Sequence, residues 1–340
     1  MNDDISAIIK KMQQAQRPAD SVPWKPDTPH AQPFYAFSGD SQTWAASSTS
    51  ASTSAPSAAP VTKLVLFSWN IDFMVPHGPS RMRAALDELQ TRIAALEDPE
   101  STAVVVFLQE CVPEDLEIIG AQEWVRNGFV RTDVDNTTWA SEMYGTTTLV
   151  DRRLAVRQVF RTHFAQTRFE RDALFVDVVF PGKEKEKVIR LCNTHLESLA
   201  QKPPLRPAQA AVAAKFMHEE AVHGALLAGD LNAIEPFDRS LHSDNNLQDA
   251  YLALGGAEDS EDGYTWGQQA SPELRQLYGC SRMDKVWYCG GVAVTKFARF
   301  GADVEVADAK EKDDIMRWGG FEKAWVTDHL GVCAEVAVLE

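Results

Sequence analysis

Six apolar, β-type runs in this chain end or begin on side chains that carry charge or hydrogen bonds. "KLVLFSWNID" (63–72) closes on Asn70 and Asp72, and "AVVVFLQE" (103–110) on Gln109 and Glu110. "VIRLCNTHLES" (188–198) carries Asn193, His195 and Glu197, and "ALLAGDLN" (225–232) ends in Asp230 and Asn232. "MDKVWY" (283–288) opens with Asp284, and "AWVTDHLGVCAEVAVL" (324–339) carries Asp328 and His329. Side chains of an extended strand repeat every two residues, so Asp230 and Asn232 share one side if that segment is a strand. One such ending is an ordinary turn. Repeated along one chain, the pattern predicts a layered domain in which strand ends meet and pool their polar groups.

Further strands are expected at "YGTTTLVD" (144–151) and "DALFVDVVF" (172–180). Helices alternate with them. In "RMRAALDELQTRIAAL" (81–96), Met82, Leu86, Leu89, Ile93 and Leu96 recur at steps of three and four and form one apolar face. "RPAQAAVAAKFMHEEAVH" (206–223) offers Pro207 as a first helical position. Strands mixed with helices indicate an α/β domain whose sheets are covered by helices. "PGKEKEK" (181–187) is expected to be a solvated hairpin loop.

Residues 1–60 have a different composition. "IIKKMQQAQ" (8–16) is compatible with a short helix, "RPADSVPWKPDTPHAQP" is Pro-rich, and "WAASSTSASTSAPSAAPVT" is of low complexity. Such a segment buries too little apolar surface to offset its ordering entropy, so residues 1–60 read as a flexible leader and 61–340 as one folded domain. The aromatic residues of "PFYAF" (33–37) could dock on the folded part or remain exposed.

The net charge of −16 opposes a broad electropositive surface for duplex binding, while leaving room for a local basic groove or for an acidic pocket that holds a divalent metal. The five cysteines are scattered without a Cys-x-x-Cys pair, as expected of reduced thiols in a cytoplasmic or nuclear protein. No secretory signal or apolar span is recognisable, so neither export nor membrane insertion is expected. A monomer is the simplest expectation.

Pooled, the strand-end groups form an oxygen-rich set with two imidazoles and no thiolate, which favours Mg²⁺ or Mn²⁺ over zinc. That set suits phosphoryl chemistry, in which charge builds on phosphate oxygens and an acid prepares water. Taken singly, each member has an ordinary explanation: Glu110 a solvated acid, His195 a buried and satisfied ring, Asp328-His329 a structural pair.

The order "SWNID", "FLQE", "NTHLES", "GDLN", "MDKVW", "TDHLG", spanning residues 63–339, resembles the endonuclease/exonuclease/phosphatase superfamily of metal-dependent phosphoesterases. Within it, "WNID", "THLES" followed by Arg206 and Gln209, and "YTW" (264–266) resemble the tyrosyl-DNA phosphodiesterase 2 branch. The resemblance implies a four-layer α/β sandwich of two mixed sheets flanked by helices. It implies hydrolysis of the 5′-phosphotyrosyl bond between DNA and a topoisomerase-derived peptide, with Mg²⁺ as cofactor. Glu110 would hold the metal, with Asn70 orienting it or touching phosphate, and Asp328 reaching it through water. Asp230 would position and deprotonate the attacking water, and Asn232 would hold that water or a phosphate oxygen. His195 and His329 would donate to the phosphate, with Asp284 fixing His329. Tyr144 and Trp266 match aromatic positions that line the nucleic-acid groove, though either could pack under a loop. Arg206 and Arg171 would contact phosphate or serve only the surface.

The chain also departs from that branch. Ala233, Ile234 and Glu235 follow Asn232 in place of "LRD", Ala200 stands where an Arg is common, and Leu330 where a Trp is. Fewer basic residues leave room for other substrates of the superfamily: poly(A), abasic DNA, or inositol- and sphingolipid phosphates. A non-catalytic scaffold is opposed by the presence of every expected chemical residue.

Overall fold

The computed structural model describes residues 15–18, 20–47, 61–182 and 186–340. In chain order the strands are β1 (His30–Gln32), β2 (Phe34–Ser38), β3 (Thr43–Ser47), β4 (Lys63–Asn70), β5 (Thr102–Cys111) and β6 (Phe129–Arg131). They continue with β7 (Gly145–Asp151), β8 (Ala155–His163), β9 (Asp172–Phe180), β10 (Lys187–Thr194) and β11 (Gly224–Asp230). The last are β12 (Gln248–Asp249), β13 (Asp284–Gly290), β14 (Val292–Phe300) and β15 (Gly331–Val338). One sheet has seven strands in the order β1-β8-β9-β10-β11-β13-β12, and the other eight, β14-β15-β4-β5-β7-β6-β2-β3.

Alternation along the strands builds the layers. Leu64, Leu66, Val105 and Phe107 face inward and meet Val176, Ile189, Leu191 and Leu226 of the opposing sheet. Their neighbours Val65, Phe67, Val104 and Val106 face outward against Met82, Leu86 and Leu89 of the helix Gly78–Ala94. Ala225, Leu227 and Trp287 pack likewise against Ala213 and Phe216 of the helix Arg206–Met217. Helix, sheet, sheet and helix form the expected sandwich.

Topology then concentrates chemistry at one end. β4 pairs with β5 in parallel, as does β10 with β11, so Asn70, Glu110, His195 and Asp230 come at the ends of strands running the same way within each pair. β13 and β15 run antiparallel to β11 and β4, so the residues at their starts lie at that same end, with Asp284 directly opposite Asp230.

The leader expectation fails for residues 30–47. β1 extends the seven-stranded sheet along β8, while β2 and β3 extend the eight-stranded sheet along β6, and Phe34 enters the central core. Upstream, the Trp24 ring stacks on His163 at 4.0 Å. Short strands joined to existing sheet edges offset their ordering cost with borrowed hydrogen bonds, which composition does not report. Most of the helix expected over 8–16 lies outside the described residues, as do residues 48–60. β9 and β10 are antiparallel with Phe180 opposite Lys187, in keeping with the hairpin expected there. Among the described residues, no helix is long and apolar enough to cross a membrane.

Candidate active site

Asn70 is the last residue on the inward face of β4, and its Nδ2 donates to Asp230 Oδ2 at 3.0 Å. This bond ties the two sheets together at the site. Beneath it, Gln109 Nε2 donates to Ser68 Oγ at 3.1 Å and to Asn193 Oδ1 at 2.8 Å, a buried polar link between β4, β5 and β10. Strict alternation would send Glu110 away from this face. Instead β5 carries a bulge, with the register shifting between Leu108 and Cys111, and Glu110 adopts φ 59°. A bulge places two residues opposite one and re-aims a side chain, here toward the strand-end cluster. Glu110 Oε2 accepts from the Phe73 amide at 3.1 Å, and Oε1 lies 3.9 Å from His195 Nδ1.

Asp230 stands between the two imidazoles. Its Oδ2 is 3.2 Å from His195 Nε2 and 3.7 Å from His329 Nε2, and its Oδ1 accepts from the Asn232 amide at 2.9 Å. Burial alone would raise the Asp230 carboxyl, but His329 and His195 outweigh it and hold it well below the usual carboxylate range. Asn232, at φ 48°, brings its side-chain Nδ2 within 2.9 Å of His195 Nε2.

The two histidines are tuned in opposite directions. His329 Nδ1 lies 2.8 Å from Asp284 Oδ2. Burial disfavours its charge, yet Asp284, Asp230 and Asp328 overcome that and push it well above the ordinary imidazole range, so it is an imidazolium at neutral pH. His195 is pushed down by burial and then by the Arg171 cation. Arg171 Nη1 reaches His195 Nδ1 at 2.8 Å, and because a guanidinium only donates, Nδ1 accepts. That leaves the His195 proton on Nε2, directed at Asp230 Oδ2 and not at the nearby Asn232 Nδ2, which donates to the Leu196 carbonyl at 3.1 Å.

A metal would find oxygen donors here. Glu110 and Asp328 sit with Asp72 and Asp230 around a single imidazolium. Burial and then Asp328 raise Asp72 to about 6, and burial, Glu110 and Asp230 raise Asp328. This negative charge, only partly offset by His329 and the buried Arg81, is the condition a divalent cation removes. Asp230, Asp284 and His329 also offer atoms within 4.8 Å of one another. His329 spends Nδ1 on Asp284 and is protonated, so the carboxylates are the better ligands.

The structure therefore brings together Asn70, Glu110, His195, Asp230, Asn232, Asp284, Asp328 and His329. Trp266 joins them: its Nε1 donates to Asp328 Oδ2 at 2.6 Å, and its backbone bridges His329. Two expected substrate contacts need correction. Arg206 is buried, with Nε and Nη2 on Asp238 at 2.8 and 2.7 Å and Nη1 on the Glu197 and Leu199 carbonyls. Four of its five N–H donors are spent inside the fold, and the buried guanidinium is not presented to a phosphate. Tyr144 is buried too, its hydroxyl donating to the Phe169 carbonyl at 2.6 Å and its ring stacked on Phe73 at 4.5 Å. Its face is covered rather than open to a base.

Arg171, left undecided between phosphate and surface, lies over Tyr144 at 5.3 Å and holds His195. Asp72 is a strand-end acid to which the sequence reading gave no role. An apolar groove of about 750 Å³, lined by Ile93, Leu96, Trp124 and Phe129, lies beside Thr102 at the opposite end of β5 from Glu110. It has no part in this constellation.

Comparison with known proteins agrees with this architecture. Truncated TDP2 from Caenorhabditis elegans superposes with a TM-score of 0.60 at 21% identity, covering 81% of this chain and 98% of that one. D. rerio TDP2 complexed with a single-strand DNA product gives 0.58 at 20%, covering 81% and 99%. A mannosyl-6-phosphatase from Bacteroides thetaiotaomicron gives 0.54 at 13%, covering 81% and 99%. At such identities the likeness is one of fold. No curated protein matches by sequence. The family model for the Endonuclease/Exonuclease/phosphatase family, however, matches residues 67–329, from inside β4 to His329, and the chain belongs to that family.

Proposed function

We propose that this protein is a Mg²⁺-dependent phosphodiesterase that hydrolyses the 5′-phosphotyrosyl bond between DNA and a topoisomerase-derived peptide, leaving a 5′-phosphate. The observation that carries the reading is the meeting of Glu110, Asp230 and two oppositely tuned histidines at one end of a TDP2-like sandwich. A single-strand DNA product in the D. rerio relative supports nucleic acid as the substrate class.

A divalent ion held by Glu110 and Asp328, with Asn70 beside them, would neutralise charge on the phosphate oxygens. Asp230, ionised under all ordinary conditions, accepts a hydrogen bond from the attacking water, aligns it and takes its proton as the new P–O bond forms, and Asn232 holds the same water or a phosphate oxygen. His195 donates through Nε2, and the His329 imidazolium donates through its own Nε2, both toward oxygens that gain charge in the transition state. A tyrosyl leaving group, with a phenol pKa of about 10, departs as phenolate with little need of a proton donor. That suits a site whose two histidines serve the phosphate.

A second reading keeps the chemistry and changes the ester. It is favoured by the enclosure of Arg206 and Tyr144, which removes two of three expected nucleic-acid contacts. A substrate panel separates the readings: a 5′-phosphotyrosyl oligonucleotide, poly(A), abasic duplex and inositol-phosphate lipid, each with Mg²⁺ or EDTA. Metal-dependent turnover fastest on the tyrosyl oligonucleotide is expected; faster turnover of any other member moves the function to that ester.

A further inference from the structure

Arg81 opens the helix that the sequence pattern predicts, yet its side chain is turned inward and fully buried. All five of its N–H donors go to main-chain carbonyls. Nε donates to Pro76 at 3.0 Å; Nη1 to Ile71 at 2.7 Å and Val326 at 2.6 Å; Nη2 to Asp72 at 2.8 Å and Val75 at 2.6 Å. Four of these carbonyls belong to the loop that follows Asn70 and carries Asp72. The fifth lies two residues before Asp328 and three before His329. Among the described residues, no carboxylate forms a salt bridge with Arg81; Asp72, Asp115, Asp328 and Glu110 act on it through space.

A guanidinium with five donors in a fixed planar fork can span two backbone segments, whereas an ammonium offers three donors from one point. A second link joins the same segments: Thr327 Oγ1 donates to the Asn70 carbonyl at 2.9 Å and accepts from the His329 amide at 3.2 Å. We propose that Arg81, aided by Thr327, is a positioning residue that clamps the Asn70–Asp72 loop to the Thr327–His329 loop. The clamp thereby sets the spacing between Asn70 and Asp72 on one loop and Asp328 and the His329 donor on the other. Arg81 touches neither substrate nor metal and acts through the residues that do.

The inference rests on the proposed phosphodiesterase reading, so its test carries readouts that do not depend on turnover. Arg81→Lys and the milder Thr327→Val are compared with wild type well below the melting temperature of each. The measurements are kcat and KM on the phosphotyrosyl oligonucleotide, Mn²⁺ binding by calorimetry, and the His329 Nδ1–H proton signal. Displacement of a catalytic group by about 1 Å can cost about a hundredfold in rate. Arg81→Lys is expected to lower kcat by about that factor with KM little changed, to weaken Mn²⁺ binding, and to shift the His329 signal. Thr327→Val should show the same pattern, smaller. If Arg81→Lys does not fold, the pattern in Thr327→Val alone carries the test. A folded variant with wild-type kcat, Mn²⁺ affinity and His329 signal, less stable or not, would overturn the clamp. If wild type itself leaves the oligonucleotide intact, the substrate reading fails, while Mn²⁺ affinity and the His329 signal still decide the clamp.

Discussion

Asp230 sits 3.2 Å from one imidazole and 3.7 Å from another, and what separates those rings chemically is the group behind each. Asp284 accepts from His329 and keeps it cationic, whereas Arg171 donates to His195 and keeps it neutral. Each partner can be removed separately. Asp284→Asn should lower kcat by about 10- to 100-fold, as losses behind a catalytic ring commonly do, and should bring the His329 titration down toward ordinary values by NMR. An unchanged His329 titration would remove Asp284 from that role. Arg171→Gln leaves a neutral side chain at His195 Nδ1, so the His195 titration should move up from its depressed position while burial keeps it below the ordinary range. Which residue types the site uses was legible from the strand-end pattern. Their tuning was not, because Asp284 lies 45 residues from His329, and Arg171 24 residues from His195. Arg206 misled for the same reason: its partner, Asp238, is 32 residues away, and nothing local distinguishes a phosphate-binding arginine from one paired inside the fold.

Strands deliver these residues, and two local backbone departures finish the delivery. At Glu110 the bulge turns a residue that alternation would point outward; apolar spacing predicts the strand but is silent about an extra residue within it. At Gly229, φ is 151° and the backbone passes so close to the Thr194 carbonyl that a Cβ would collide with it. Gly229→Ala should therefore push β11 off β10 beside Asp230, costing about 3 kcal/mol or more with loss of soluble yield. A well-folded alanine variant with an unaltered melting temperature would show that the approach is not required. The early strands were hidden because they are three to five residues long and lie amid prolines and serines. β2 and β3 form a local hairpin, but the strands that anchor β1 and β2 to the sheets are more than 90 residues downstream, beyond the reach of any local pattern.

At the scale of the molecule, residues 24–47 strap the outer edges of both sheets, and the strap is fixed partly through His163. That ring is stacked on Trp24, flanked by Arg161 and Asp172, and neither nitrogen has a hydrogen-bond partner among the described residues. Burial first, then Arg161 and His30, depress it to about 2. Between about pH 6.5 and about pH 2 the unfolded chain binds a proton there that the folded chain refuses. This contribution to stability is complete above the unfolded value and is lost as pH falls through that window. His163→Phe, which preserves a ring against Trp24, should flatten the acid side of the stability profile; an unchanged slope down to about pH 4 would mean that other groups dominate. Trp24→Ala should cost about 3 kcal/mol by denaturant unfolding, as expected for a buried aromatic and not for a loose leader.

All three scales converge on one claim: the strand-end cluster around Asp230 performs hydrolysis. The most direct measurement is single-turnover cleavage of a 5′-phosphotyrosyl oligonucleotide with Mg²⁺, comparing wild type with Asp230→Asn at matched fold and matched oligonucleotide affinity. The proposed function predicts metal-dependent release of a 5′-phosphate by wild type and a loss of at least about a hundredfold in the variant, whose amide can neither take a proton nor pair with His195 and His329. Cleavage by Asp230→Asn at the wild-type rate would contradict it.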